Sequence, residues 1–192
     1  MPQPTLIVVD VQQALDDPSW GERNNPGAER KIAAALAAWR DAGAPIVHVR
    51  DRSRDPGGLF QPGTPAFEYK PEARPAAGEP ELTKSANCAF VGTDLEQRLR
   101  RAGATTVAIV GLTTDHCCSS TARMAADLGF ETWIVEDAMA TYQRADLDGT
   151  PIPADTIHRA ALASLNGEVG EVMPLSEAVE RLRGAPASNA GR

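Results

Sequence analysis

Four stretches of the chain are short, apolar and closed by a polar or glycine residue: Thr5–Val11 (TLIVVDV), Pro45–Arg50 (PIVHVR), Thr105–Gly111 (TTVAIVG) and Glu131–Asp137 (ETWIVED). Runs of this length and near-uniform apolarity predict strands of a parallel sheet that is covered on both faces. Between them the apolar spacing lengthens to a helical period. Ala28–Gly43 is alanine-rich and stops at a glycine just before Pro45, the usual end of a helix. Thr93–Gly103 opens on Thr93 and Glu96, which read as a capping box. Asp115–Gly129 and Pro153–Gly167 follow the same plan. Strands alternating with helices give right-handed crossovers. The expected class is therefore α/β, a three-layer α/β/α sandwich around a mostly parallel, Rossmann-like sheet of five or six strands.

One segment breaks the pattern. Asp51–Leu82 is rich in Pro and Gly and has no period, and a loop that long inside a domain is expected to be functional or a lid. With 192 residues, a single domain over residues 1–184 is expected, followed by a disordered tail at 185–192. A hydrophobic fraction of 42% and a charged fraction of 23% belong to an ordinary soluble globular protein. No apolar run approaches the roughly 20 residues of a membrane-spanning helix. The first residues lack the basic region and cleavage site of a secretory signal, so the expected location is the cytoplasm. A net charge of −7 with scattered arginines argues against a nucleic acid partner. The three cysteines, Cys88, Cys117 and Cys118, are too few for a disulfide framework and are expected to be free thiols.

In open parallel sheets, ligands sit beyond the carboxyl ends of the strands. Asp10, the His48–Asp51 segment, the turn TTDHCC and Asp137 fall at such ends, and Lys84 joins them if Glu81–Lys84 is a short strand. The fold thus predicts that Asp10, Lys84 and the paired cysteines converge. A helix starting near Asp115 puts Cys117 in its first turn, where free N–H groups and the positive dipole end favour a thiolate. The same donors suit an oxyanion. Cys118 shares a stripe of small residues with Ala122, Ala125 and Gly129, and Cys117 one with Thr121, Met124 and Leu128; this leans towards Cys117 as the exposed thiol and leaves the choice open. Taken singly, Cys88 and Cys118 read as small buried hydrophobes, Asp10 as a loop anchor and Lys84 as a surface charge. Trp20, Phe60, Phe67, Phe90, Tyr142 and His116 are candidate pocket walls, the aromatic ones equally good as core. Arg50 and Arg52 suit a substrate carboxylate or solvent, and Asn24 and Asn25 a ligand or a turn.

The stretches IVVDVQ (Ile7–Gln12), TKSANCAFVGTDL (Thr83–Leu95) and VGLTTDHCCSSTARMAADLGFETWIVEDA (Val110–Ala138) resemble the isochorismatase-like cysteine hydrolase superfamily. This family includes nicotinamidases, N-carbamoylsarcosine amidases, and biuret and ureidoacrylate hydrolases. The likeness runs from about Thr5 to Met173. It implies an Asp–Lys–Cys triad of Asp10, Lys84 and Cys117, with Cys117 at the first cysteine of the family's TDxC motif. It also implies a cis peptide at Leu112–Thr113 and an oxyanion hole from the N–H groups of Thr113 and Cys117. Trp20, Phe60, Phe90 and His116 are the expected substrate contacts. A cysteine at this position implies carbon–nitrogen hydrolysis of a small amide, ureide or cyclic amide rather than vinyl ether cleavage. The alternative is a non-catalytic or redox-sensing protein with a reactive Cys117. The nicotinamidase metal pattern, an Asp-x-His pair followed by another His, is lacking after the second strand, so neither a metal nor another cofactor is expected. Members of the family are commonly homodimers or homotetramers, and the same is expected here.

Overall fold

The computed structural model describes residues 2–184. Strand β1 (Thr5–Val9) is buried along its whole length, and its side chains divide between two separate cores. Leu6 and Val8 face one core, Ile7 and Val9 the other, as the two-residue period of a strand requires. Around it lie α1 (Ala28–Asp41), β2 (Ile46–Asp51), β3 (Glu81–Lys84), α2 (Leu95–Arg101) and β4 (Thr106–Leu112). The chain continues through α3 (Ser119–Asp127), β5 (Glu131–Ala140), the two-residue strands β6 (Arg144–Ala145) and β7 (Pro151–Ile152), α4 (Ala154–Leu165), β8 (Glu171–Met173) and α5 (Leu175–Leu182). The main sheet is parallel throughout, in the order β3-β2-β1-β4-β5-β8.

Two layers of helices cover this sheet. Ile32, Leu36 and Trp39 of α1 and Leu175, Ala178 and Leu182 of α5 complete one core. Leu95 and Leu99 of α2, Ala122 and Ala125 of α3, and Leu162 and Leu165 of α4 complete the other. Each fully buried Leu, Ile or Val contributes about 1.5–3 kcal/mol. The expected α/β sandwich is what forms. The strand order also fixes where a ligand belongs. From β1 the chain moves outward through β2 and β3, then returns to β4 and moves out the other way. The crevice at the carboxyl ends of β1 and β4 is therefore the topological switch point of the sheet.

Some expectations need correction. No capping box starts α2: Asp94 precedes it without a side-chain cap, and Thr93 Oγ1 instead accepts the Leu95 N–H and donates to the Ala89 carbonyl at 2.6 Å. The helix expected from Asp115 begins as a π-helical turn, Thr114–Cys118, before α3 proper. The hairpin β6–β7, strand β8 and helix α5 had no counterpart in the pattern. The long segment after β2 is pinned rather than free. The Tyr69 segment forms an antiparallel bridge to Gln12, and the Lys70 N–H donates to the Val11 carbonyl at 2.9 Å. The tail expected at 185–192 lies outside the described residues.

Candidate active site

Beyond the end of β1 the backbone turns into the left-handed region at Asp10, with φ of 51°. Few residues other than glycine tolerate this, aspartate among them. Asp10 is 2% exposed, and Lys84, the last residue of β3, is equally buried. The Lys84 Nζ lies 2.6 Å from Asp10 Oδ2, 3.4 Å from Asp51 Oδ1 and 3.4 Å from Cys117 Sγ. Residues 10, 84 and 117 thus meet at the switch point, as the strand-end argument requires. Burial raises the Asp10 carboxyl to about 6 despite the opposing charge of Lys84. Burial disfavours the Lys84 ammonium too, but Asp10, Cys117 and Asp51 outweigh it and hold Lys84 above the ordinary lysine range.

Gly111 makes the approach to the thiol possible. Its φ is 133°, and a Cβ there would lie 2.1 Å from the Val9 carbonyl oxygen. The Leu112–Thr113 peptide that follows is cis. The Thr113 carbonyl then accepts the N–H groups of His116 at 3.3 Å and Cys118 at 3.1 Å, passing over that of Cys117. Cys117 is partly exposed at the cavity, whereas Cys118 is 1% exposed and packs into the core under α3. Helical position alone predicts a stabilised thiolate at Cys117, and here the outcome differs. Burial, with Asp10 beside it, pushes the thiol well above the ordinary cysteine value, and Lys84 offsets only part of this. Burial and the neighbouring Asp10 thus favour the thiol over the thiolate.

The turn is braced from outside. Thr114 Oγ1 is hydrogen-bonded to His158 Nδ1 of α4 at 2.8 Å. Asp115 accepts from the Thr141 hydroxyl and from Arg144 Nε at 3.3 Å, and lies 2.9 Å from His116 Nδ1. Burial alone would raise the Asp115 carboxyl; His116, Thr141 and Arg144 together hold it well below the usual range.

A cavity of about 410 Å³ opens over Cys117, lined by Asp10, Leu15, Trp20, Asp51, Phe60, Asn87, Leu112, Thr113, His116 and Arg144. Trp20, Phe60 and His116 are among these lining residues. Phe90 is not: its ring stacks on Phe130 at 6.4 Å, against the core on the α2–α3 face. Tyr142 stands behind Trp20, with ring centroids 5.7 Å apart, and Phe67 is buried beneath the Arg50 guanidinium. Arg52 is exposed. Asn24 and Asn25 bind main-chain groups of residues 137–141 and so are structural. His48 pairs with Glu79 at 2.7 Å, and Asp137 with Lys31 and the Leu175 N–H. Among the described residues no group of three or more His, Cys, Asp or Glu is disposed to hold a metal. Pattern reading singled out none of Gln12, Asn87 and Arg144 and took Asp115 only as part of the cysteine turn. Gln12 is fully buried: its Oε1 accepts the Asp51 N–H at 2.7 Å and its Nε2 donates to the Asp51 and Phe67 carbonyls. Asp51 had a signal, a charged strand end in register with Lys84.

Comparison with known proteins places the chain in a family. The family model of the isochorismatase domain matches residues 4–177. The isochorismatase family protein YrdC of Bacillus subtilis is 41% identical, covering 91% of this chain and 93% of that protein. A streptothricin hydrolase of Streptomyces noursei is 35% identical over 91% of this chain and 63% of its own. The maleamate amidohydrolase of Pseudomonas putida is 28% identical over 94% of this chain and 87% of its own. A crystal structure of an isochorismatase-family protein from Chromobacterium violaceum superposes with a TM-score of 0.92 at 40% identity, covering 95% of this chain and 94% of the other. This chain belongs to the isochorismatase family of hydrolases.

Proposed function

We propose that the protein hydrolyses a carbon–nitrogen bond of a small amide, ureide or cyclic amide through a thioester on Cys117. The observation that carries this reading is the placement of one buried ammonium, Lys84, 2.6 Å from Asp10 and 3.4 Å from Cys117, both of which line the cavity. As the thiol sulfur attacks the carbonyl carbon, its proton passes to the Asp10 carboxylate, and Lys84 stabilises the negative charge on sulfur. The N–H groups of Thr113 and Cys117 receive the oxyanion. Protonated Asp10 then gives its proton to the departing nitrogen, the carbon–nitrogen bond breaks, and the acyl group remains on sulfur. Asp10 next takes a proton from the water that attacks the thioester and passes it to the departing sulfur, releasing the acid and returning the thiol. A carboxyl poised at about 6 suits alternate roles as base and acid near neutrality.

The rival reading, a redox sensor, requires an accessible thiol of low pKa. Burial holds the Cys117 thiol high instead, and a sensor has no use for the paired Asp10 and Lys84. The test is a panel of primary amides, ureides and lactams assayed for release of acid, ammonia or amine. Cys117→Ser should lose roughly a thousandfold or more in kcat/KM, while Cys118→Ser keeps most of it. The reverse pattern would sink the assignment. Inertness of the parent protein on the whole panel, with stoichiometric oxidation of Cys117 by mild peroxide, would favour the sensor.

A further inference from the structure

The reaction above uses one carboxylate, yet a second faces the same cavity. Asp51 lines it with its side chain 26% exposed. One oxygen lies 3.4 Å from Lys84 Nζ, a long contact beside the 2.6 Å pair that Lys84 makes with Asp10. Apart from Lys84, no N–H or O–H donor among the described residues binds an Asp51 carboxylate oxygen, whereas its main-chain N–H and carbonyl are both clamped by the buried Gln12 amide. The backbone is thus rigidly held while the carboxylate is left facing the cavity.

The charge around the cavity points the same way. Arg144 is the cation at the mouth, but its Nε is taken up by Asp115 and its Nη2 lies 3.1 Å from His116 Nδ1. Lys84 is shared between Asp10 and Cys117. Of the lining residues Asp10 and Asp51 are acidic, while the basic ones, Arg144 and His116, are both engaged by Asp115 behind them. The remaining walls are Leu15, Leu112 and the rings of Trp20 and Phe60. Apolar and aromatic walls around a carboxylate with one oxygen left over from its long contact to Lys84 form a site for a cation with N–H donors, since an aromatic face also attracts positive charge.

We propose that Asp51 is a substrate anchor and that the substrate is an amide whose non-reacting part carries a protonated amine or amidine. The inference rests on the amide hydrolase reading for the word substrate, and on the charge arrangement alone for the preferred sign. An amide bearing a carboxylate would be repelled by Asp51 at the same place.

Two measurements separate these levels. The first needs no substrate. Protein with Cys88→Ser is treated with 2-aminoethyl methanethiosulfonate, a cation, or with 2-sulfonatoethyl methanethiosulfonate, an anion. The sulfur of Cys117 attacks the sulfenyl sulfur, forms a mixed disulfide and expels methanesulfinate, its own proton passing to Asp10 or water. The ratio of cation to anion rate at Cys117, read by peptide mass, should exceed the same ratio for 2-mercaptoethanol by about tenfold. Asp51→Asn, which preserves volume, should cut that excess at least about threefold. A ratio equal to that of free thiol, or one untouched by Asp51→Asn, overturns the proposal. The second measurement compares amides of one length ending in amino, methyl or carboxylate groups. The amino compound should have the highest kcat/KM, and Asp51→Asn should raise KM for it alone. Preference for the carboxylate compound also overturns the proposal. If every amide is inert, the hydrolase reading fails and the labelling ratio still decides the charge preference.

Discussion

Asp10 and Cys117 reverse a common expectation about reactive cysteines. Proximity to a lysine and a helix start argues for a thiolate at rest, yet burial costs the anion more than Lys84 returns. The proton must therefore leave as the sulfur attacks, and Asp10, raised to about 6, is the acceptor at hand. Below that pH the carboxyl is already protonated and cannot serve. We expect kcat/KM to fall about tenfold per pH unit below about 6, read from a pH–rate profile on any active amide; a flat profile down to pH 4 would exclude Asp10 as the base. Stability runs the opposite way over the same interval. A carboxyl whose pKa rises from 3.8 to about 6 on folding binds more protons in the folded state, so its contribution weakens as pH rises through that window. At this scale the sequence identified the three residues as candidates by their places at strand ends. It could not find their pKa values, which depend on how deeply other segments bury them.

At the level of elements, β4 and its turn carry the most constraint. Gly111 sits where β4 presses on the Val9 backbone, and its irregular register against β5 passes from the Ile109–Ile134 pair to Gly111–Met139. Gly111→Ala should cost on the order of 3 kcal/mol or more, measured by urea denaturation, because the obstructing atom is backbone that cannot rotate away. An unchanged midpoint would mean that β4 shifts at little cost. The central strands were legible because parallel, doubly buried strands are near-continuous apolar runs. The flanking pieces were not. β8 has three residues and β6 and β7 two each, too few to show a period. Thr93 looked like a cap, and only its bond to the Ala89 carbonyl showed that it serves the preceding loop.

Across the whole molecule, a partly buried ionic network holds the long loop to the scaffold. Lys70, 4% exposed, places its ammonium 2.6 Å from Asp16 and 2.8 Å from Glu29, and Arg23 grips the same Glu29 through both carboxylate oxygens. Burial would raise Glu29, but Arg23 and Lys70 outweigh it and bring the carboxyl down to about 2. A lowered acid stabilises the fold above its unfolded value of 4.5 and loses that contribution as pH falls towards 2. Glu29→Gln leaves Lys70 and Arg23 short of a counter-charge, so it should cost roughly 3 kcal/mol at neutral pH. The loss should shrink on acidification from pH 5 to pH 3, as followed by chemical denaturation at each pH; a loss that does not change with pH would mean the network is not ionic in effect. None of this could be read from the loop, whose Pro and Gly content gave only irregularity.

The hydrophobic pattern by itself determined the sheet, the two covering layers and the edge where chemistry gathers, because strand and helix periods are local properties of the chain. The cysteine motif also marked which thiol to watch. Tertiary structure alone decided that Phe90 leaves the cavity and that Asp51 meets Lys84 beside Asp10. Burial, charge pairing and ring contacts are set by residues tens of positions apart. No pattern along one segment contains them.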